Sequence, residues 1–183
     1  MKTTDQKRIK ELIDRIGRIS AADEWTEDIN PTQWSALSYL ARANRFSRSP
    51  SQVTDFMSTT RGTVSQTLKA LARKGLIEVI HSKQDKRSIS YAVTAKGEML
   101  FQRKNIIETA LSHLSDDEGS DLLKGLETLV RNSLILRNLR AFGICKTCVH
   151  HVSREQGGYC NLLGETLLEN EINQICHEHS EVA

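Results

Sequence analysis

Cysteine is confined to the C-terminal part of this 183-residue chain, with the spacing Cys145-x2-Cys148-x11-Cys160-x15-Cys176. Two cysteines separated by two residues can bind one metal from a single bend of the chain. In a reducing cytosol, such a group of thiols indicates metal binding or redox chemistry rather than structural disulfides. The pattern predicts a metal site with four cysteine ligands, with a redox dithiol as the alternative.

The type of metal depends on which side chains act as ligands. Zinc favours four sulfur or nitrogen ligands in a tetrahedron, often supplied by two short paired motifs. The pairs Cys145-x2-Cys148 and Cys176-x2-His179 would make such a site and leave Cys160 unused, so His179 is an alternative ligand. Four cysteine ligands suit an iron–sulfur cluster as well as zinc.

Charge is distributed unevenly, although the net charge is only +2. Between residues 61 and 87 the chain has seven Lys and Arg and two acidic residues, whereas from residue 145 onward it has two basic residues and six glutamates. The middle of the chain could therefore bind a polyanion such as nucleic acid, and the C-terminal part could not.

The elements before the cysteines are predicted to be mainly helical. An apolar stripe over residues 9–19 predicts a first helix from about residue 5 to 20. The segments Asn30-Pro-Thr-Gln33 and Ser49-Pro-Ser-Gln52 each offer an N-cap residue, proline at the first helical position and glutamine at the third, where it can reach back to the cap. They predict a helix running to about Asn44 and a short one ending near Met57.

A third helix and a small β-hairpin come next. Val64, Leu68 and Leu71 form the apolar stripe of a helix from Arg61 to Lys74, and Gly75 stands where a C-cap glycine belongs. The β-branched stretches 76–80 and 89–93, joined by a polar segment, predict two strands. Two more helices are predicted, from Thr94 to about Leu114 and from the capping box at Ser115 to about Leu139.

Several polar side chains of this region suit contact with double-stranded DNA. Those expected to face outward from the third helix are Arg61, Thr63, Ser65, Gln66 and Lys69, and those at the hairpin tip are Lys83, Lys86 and Arg87. Glutamine can bond adenine and arginine can bond guanine in the major groove, while the tip suits phosphates or a narrow minor groove. A short helix, a turn, a basic helix and a basic-tipped hairpin predict a winged helix-turn-helix.

With this order of elements, the chain resembles the MarR family of transcriptional regulators over about residues 5–139. The matching stretches are Thr63-Val-Ser-Gln-Thr-Leu-Lys-Ala-Leu-Ala-Arg-Lys-Gly-Leu-Ile77, Asp85-Lys-Arg87 and Val93-Thr-Ala-Lys-Gly97. The resemblance implies a homodimer in which the first and last helices of both copies intertwine, with Arg61–Lys74 as the recognition helix. It also implies that Asp85 and Arg87 shape the wing tip and contact DNA. The apolar stripes over residues 9–19 and 122–139 suit the dimer role independently.

The cysteine segment is similar to the cluster-binding segment of high-potential iron–sulfur proteins. Shared features are the order C-x2-C at Cys145, C-x-L-x-x-G at Cys160 and a final lone cysteine at Cys176, although the spacings differ and the aromatic residue after the last cysteine is missing. This similarity implies an iron–sulfur cluster on Cys145, Cys148, Cys160 and Cys176, and zinc remains the alternative.

The sequence thus predicts a DNA-binding and dimerisation domain over residues 1–140 and a cysteine-rich metal-binding extension over residues 141–183. We expect a regulator that binds a pseudo-palindromic operator and senses redox state or iron through the four-cysteine site. The alternative is the same regulator with a structural zinc and a small-molecule effector. A metal-dependent redox enzyme is not favoured, because no catalytic constellation accompanies the cysteines. The charged N-terminus and the lack of a long apolar run predict a cytoplasmic protein with no membrane partner.

Overall fold

The computed structural model describes residues 2–25, 28–81, 88–102 and 105–180. The helices are α1 (Thr3–Glu24), α2 (Pro31–Arg42), α3 (Pro50–Met57), α4 (Arg61–Arg73), α5 (Ala95–Glu98), α6 (Ile106–Leu111) and α7 (Asp116–Leu136). The strands are β1 (Ile77–His81), β2 (Ile89–Val93), β3 (Gly143–Ile144), β4 (His151–Ser153), β5 (Gly158–Cys160), β6 (Glu165–Leu167) and β7 (Ile175–Cys176). Short 3₁₀ turns lie at Arg45–Ser47, Met99–Gln102, Cys145–Thr147 and Glu171–Asn173. Within the described ranges, no helix is long and apolar enough to cross a membrane.

The starts of α2 and α3 follow the local signals in the sequence. The Asn30 side chain accepts a hydrogen bond from the Gln33 amide at 2.9 Å. At the start of α3, Ser49 and Gln52 form the reciprocal capping box. The expected return of the Gln33 side chain to its cap is wrong, because that side chain accepts a hydrogen bond from the Lys74 ammonium at 2.8 Å. This contact joins α2 to the end of α4.

Two helices end earlier than their periodicity predicts. α2 ends at Arg42 instead of near Asn44, because Ala43 already has an extended backbone and Asn44 caps the following 3₁₀ turn with its side chain. α7 ends at Leu136 instead of near residue 139, because Asn138 takes a left-handed conformation with φ of 51°. A left-handed residue terminates a helix and lets its last carbonyl groups find partners.

The single helix predicted from Thr94 to about Leu114 is broken. α5 ends at Glu98 and passes into a 3₁₀ turn, and α6 starts anew at Ile106. Asn105 has φ of −83° and ψ of 163°, and its side chain accepts a hydrogen bond from the Glu108 amide at 2.7 Å. The capping preference of asparagine therefore outweighs the helical periodicity around it.

The buried core of the DNA-binding part lies between α2, α3, α4 and the two strands β1 and β2. Its residues are Ile29, Ala36, Leu37, Tyr39, Leu40, Ala43, Val53, Val64, Leu68, Leu71, Leu76, Ile77 and Tyr91. By contrast, neither α1 nor α7 has a buried residue. The apolar stripes predicted for these two helices are therefore exposed in the single chain.

The cysteine-rich extension consists of short antiparallel pairs. β3 pairs with β7, placing Gly143 opposite Cys176. β4, β5 and β6 form a three-stranded meander in which Cys160 lies opposite both His151 and Glu165. A parallel bridge from Ala43 to Ile175 connects this extension to the end of α2. The boundary predicted at residue 140 stays a prediction.

Candidate nucleic-acid interface and cysteine cluster

The helix α4 separates buried apolar residues from exposed polar ones. Its buried side chains are Val64, Thr67, Leu68 and Leu71, and the predicted DNA-contacting residues Arg61, Thr63, Ser65, Gln66 and Lys69 are all exposed. Ser58, with φ of 49°, ends α3 in a left-handed turn. Thr60 then caps α4 by accepting a hydrogen bond from the Thr63 amide at 3.2 Å. The turn between α3 and α4 leaves the polar face of α4 open to solvent.

The hairpin follows α4 directly. Gly75 has φ of 70°, a conformation that favours glycine, and it turns the chain from α4 into β1. β1 and β2 are antiparallel and pair from Ile77–Val93 to His81–Ile89. Of the predicted tip residues, Lys83, Asp85, Lys86 and Arg87 lie outside the described residues, so their roles stay predictions.

The comparisons with known proteins agree with this geometry. A family model described as MarR family matches residues 27–88. The crystal structure of Streptococcus pneumoniae FabT in complex with DNA matches with 27% identity and a TM-score of 0.58, over 72% of this chain and 99% of that chain. The fold is that of MarR-type winged-helix regulators. The Staphylococcus aureus MepR–DNA complex matches with 22% identity and a TM-score of 0.55, over 72% of this chain and 99% of that chain.

A solved structure with lower sequence identity has the same fold. A MarR transcriptional regulator from Methanosarcina mazei Go1 matches with 20% identity and a TM-score of 0.57, over 74% of this chain and 99% of that chain. Curated proteins give no match to this chain. The predicted mainly helical architecture with a small antiparallel wing is thereby confirmed. Because nearly all of each solved chain is covered, the rest of this chain has no counterpart in them.

The four cysteines are free and buried, with exposed fractions of 3% for Cys145, 9% for Cys148, 7% for Cys160 and 5% for Cys176. They come from different places in the extension: the two ends of one 3₁₀ turn, the end of β5 and the end of β7. Three of them, together with Leu167, form the buried cluster of the extension. The thiols thus occupy positions that apolar side chains fill in an ordinary core.

Electrostatics indicate that these thiols share one environment. Burial raises the pKa of the Cys145 thiol to about 12, and the other three cysteines and Glu171 add to the rise. Burial also raises the pKa of the Cys176 thiol, while hydrogen bonding by the Glu178 backbone, Asn44 and Ser47 lowers it. Desolvation disfavours the charged thiolate, so burial favours the protonated form of both groups in this arrangement.

The predicted four-cysteine site nevertheless stays a prediction. In the part of the chain that the structure describes, no group of three or more His, Cys, Asp or Glu side chains is placed to hold a metal ion. The alternative ligand His179 shares a hydrogen bond of 2.9 Å between its Nε2 and the Thr147 hydroxyl. Nε2 of His151 is buried without a hydrogen-bond partner among the described residues.

The sequence did not predict the contacts that connect the extension to the DNA-binding part. The Arg45 guanidinium forms an ion pair with Glu171 and donates a hydrogen bond to the Thr166 carbonyl at 2.8 Å. The backbone N–H of Asn44 donates a hydrogen bond to the Ile175 carbonyl at 2.9 Å. Both contacts start from the bend between α2 and α3, so they tie the extension to the helix-turn-helix itself.

His177 makes further contacts between the extension and the DNA-binding part. Its backbone amide donates to the Ser47 hydroxyl at 2.9 Å, and its Nε2 lies 3.2 Å from the Asp55 carboxylate on α3. The Phe142 ring meets the imidazole edge-on at 5.2 Å between ring centres. Ser47 and His177 are 130 residues apart in the chain. No local sequence pattern could have indicated that contact.

Proposed function

We propose that this protein is a homodimeric transcriptional regulator that binds a pseudo-palindromic operator in double-stranded DNA. The observation that carries the proposal is the exposed polar face of α4. The opposite face of this helix is apolar and buried, and the β1–β2 wing follows the helix in the chain. Support comes from the MarR family match over residues 27–88 and from the similarity to FabT and MepR structures that contain DNA. The same support makes an enzymatic function a poorer explanation of the fold.

In the proposed complex, α4 enters the major groove. Gln66 and Arg61 have the donor and acceptor groups that read adenine and guanine, and Thr63, Ser65 and Lys69 suit phosphates. The wing tip with Lys83, Lys86 and Arg87 would grip the flanking DNA. Two-fold symmetry of a dimer requires two half-sites about one helical turn apart.

The decisive experiment reverses two charges on the proposed interface. The double variant Lys69→Glu with Arg87→Glu should bind the operator about 100-fold more weakly than wild type, because two attractive contacts to DNA become repulsive. Fluorescence anisotropy at moderate salt, with an operator selected from random DNA, measures the change.

A matched control is available at the start of α1, where Lys2 and Lys7 are both exposed. Lys2→Glu with Lys7→Glu changes the net charge equally, far from α4 in the sequence, and should keep wild-type affinity. If the double variant at Lys69 and Arg87 still held the operator like wild type, the DNA-binding assignment would be wrong. A winged helix that binds a protein would then be the better explanation.

The second part of the proposal is a metal centre on Cys145, Cys148, Cys160 and Cys176. The strands of the extension have two or three residues each, and its buried cluster consists largely of cysteine. So small a unit buries too little apolar surface to fold by itself, and bonds to a metal would supply the missing free energy. We favour an iron–sulfur cluster, which would let the regulator sense redox state or iron.

A cluster and a single zinc ion would place their ligands differently. A single zinc ion holds its sulfur ligands at about 2.3 Å from one point, whereas the irons of a cluster spread the ligands over a larger volume. The order C-x2-C, C-x-L-x-x-G and a final lone cysteine, which resembles the cluster-binding segment of high-potential iron–sulfur proteins, is what favours the cluster. Iron and sulfide in anaerobically purified protein would support the cluster, and one zinc per chain would support the alternative.

In the zinc alternative a small-molecule effector would control the regulator. An open cavity of about 710 Å³ lies between α3, α7 and the start of the extension. Phe56, Val130, Leu134 and Phe142 supply apolar walls, and Arg131 and Glu127 also line the cavity. Its volume is within the range of small-molecule sites.

A further inference from the structure

The helix α3, which precedes the recognition helix α4, has few buried contacts of its own. It has eight residues, all of them described, and Val53 is the only one that is buried. A helix this short is marginal by itself and depends on packing against its neighbours. The contacts that α3 receives from other parts of the chain therefore decide where it lies.

The extension contacts the bend that leads into α3. The backbone N–H of Asn44 donates a hydrogen bond to the Ile175 carbonyl at 2.9 Å, beside the parallel bridge between Ala43 and Ile175. The Ser47 hydroxyl accepts a hydrogen bond from the His177 amide at 2.9 Å. Asn44 and Ser47 are each only 1% exposed. Because buried polar groups need hydrogen-bond partners, the extension stabilises the bend in this conformation.

The extension also contacts the last turn of α3. The Phe142 ring meets the Phe56 ring edge-on, with 5.3 Å between ring centres, and Phe56 in turn stacks on Tyr39 of α2 at 4.3 Å. The Asp55 carboxylate lies 3.2 Å from Nε2 of His177. Aromatic pairs in these arrangements stabilise packing beyond the area that they bury. The extension therefore holds α3 at both of its ends.

The last turn of α3 leads directly into the recognition helix. Only the turn at residues 58–60 separates α3 from α4, and the two helices pack against each other. A recognition helix must lie at a defined position to reach base edges in the major groove. A displaced or loosened α3 would therefore change how the polar face of α4 meets DNA.

We propose that the extension is a positioning element of the DNA-binding part: it holds α3 so that α4 fits the major groove, and its release from α3 weakens operator binding. The inference rests on the proposed function, because it needs an operator to act on. It does not depend on what the cysteines bind, since the contacts that carry it involve no cysteine side chain.

The first test removes one contact at each end of α3 in the full-length chain. Phe142→Ala removes the ring that meets Phe56, and Ser47→Ala removes the acceptor of the His177 amide. Each single variant should bind the selected operator more weakly than wild type, and the double variant about 5- to 150-fold more weakly, the usual range of coupling between two sites. Fluorescence anisotropy well below the unfolding temperature of every variant measures the change in fully folded protein.

Hydrogen exchange shows whether the extension has left α3. The Asn44 N–H has its partner, the Ile175 carbonyl, in the extension. In the double variant this amide should exchange faster than in wild type, and the amides of α3 and α4 should follow, because local opening exposes hydrogen bonds that were protected. A substitution that lowered only global stability would not single out these amides.

Phe101→Ala is the matched control for the loss of a partly buried ring. Phe101 packs against the same core as Phe142, but it lies in the 3₁₀ turn after α5 and meets Trp34 with 5.2 Å between ring centres. The control should lose thermal stability yet keep wild-type exchange at Asn44 and wild-type affinity. If it loses as much affinity as Phe142→Ala does, the effect is one of general stability and the inference is wrong.

The outcomes separate this inference from the proposed function. A wild-type chain that binds no operator refutes both. A double variant that exchanges fast at Asn44 and still binds the operator like wild type refutes this inference alone. Slow exchange at Asn44 in the double variant also refutes it, because Phe142 and Ser47 would then not hold the extension against α3.

Discussion

At the scale of single residues, Arg45 joins parts of the chain that lie far apart in sequence. Its partner Glu171 is only 4% exposed and also accepts a hydrogen bond from the Leu168 amide at 2.8 Å. Without Arg45, this carboxylate would stay buried without its cation, which is more unfavourable than losing an exposed pair. The pair of Arg140 and Glu178 offers the contrast, because its side chains are 60% and 40% exposed.

We therefore expect different effects from two similar substitutions. Arg45→Met should lower the free energy of unfolding by about 1–3 kcal/mol, a range reduced for the partial exposure of Arg45. Arg140→Met, which breaks the exposed pair, should change it by less than about 1 kcal/mol. Urea unfolding of both variants measures the difference. Equal losses would show that the contact between Arg45 and Glu171 does not hold the extension in place.

At the scale of elements, α1 and α7 have apolar faces that the rest of a single chain does not cover. Neither helix has a buried residue, although each has an apolar stripe along its length. Helices in proteins gain most of their stability by packing an apolar face. The exposed side chains include Ile9, Leu12, Ile13, Ile16 and Ile19 on α1 and Leu122, Leu126, Leu129 and Val130 on α7. A second copy of the chain would cover both stripes.

A charge in each stripe should separate the proposed dimer. Ile13→Glu with Leu126→Glu places carboxylates on the apolar faces, where burial against a partner would desolvate them. Sedimentation at micromolar concentration should change from a dimer to a monomer. Leu168→Glu is the control, because Leu168 is 60% exposed and lies in the extension outside both stripes. A dimer that survived the double change would refute these helices as its interface.

The sequence predicts elements well where the signal is local. Ser49 and Ser115 form the capping boxes that their sequences indicate, and Gly75 takes the conformation expected after α4. The break between α5 and α6 was missed because Asn105 sits within an otherwise helical pattern. Its role as a cap depends on a competition between backbone and side-chain hydrogen bonds that periodicity does not report.

At the scale of the whole molecule, the sequence indicates the parts but not how they meet. The cysteines are recognisable from their spacing alone, and the structure buries all four in the extension. The bend at Asn44 and Ser47 carries no recognisable motif, since its partners are Ile175 and His177 far along the chain. Contacts of such long sequence separation form only when the two parts fold together.

The uneven charge distribution of the chain leads to a final prediction about salt. The basic residues between positions 61 and 87 would release counterions from DNA, while the acidic extension would not. Lys69→Gln should therefore reduce the slope of log affinity against log salt by about 0.9 per protomer, or about 1.8 for the proposed dimer, and weaken binding to all sequences alike. Gln66→Ala should instead keep the slope and relax the preference at one base pair in each half-site, at a loss of about 1–3 kcal/mol per half-site.

The control for this salt series is Lys146→Gln, which removes one positive charge from an exposed position in the extension. Because net charge falls equally in Lys69→Gln and Lys146→Gln, a slope that changed in both would indicate a general effect of charge. A slope that changed only in Lys69→Gln would place the DNA phosphates at α4. If Gln66→Ala altered the slope and Lys69→Gln altered the base preference, the roles assigned to these two side chains would be reversed.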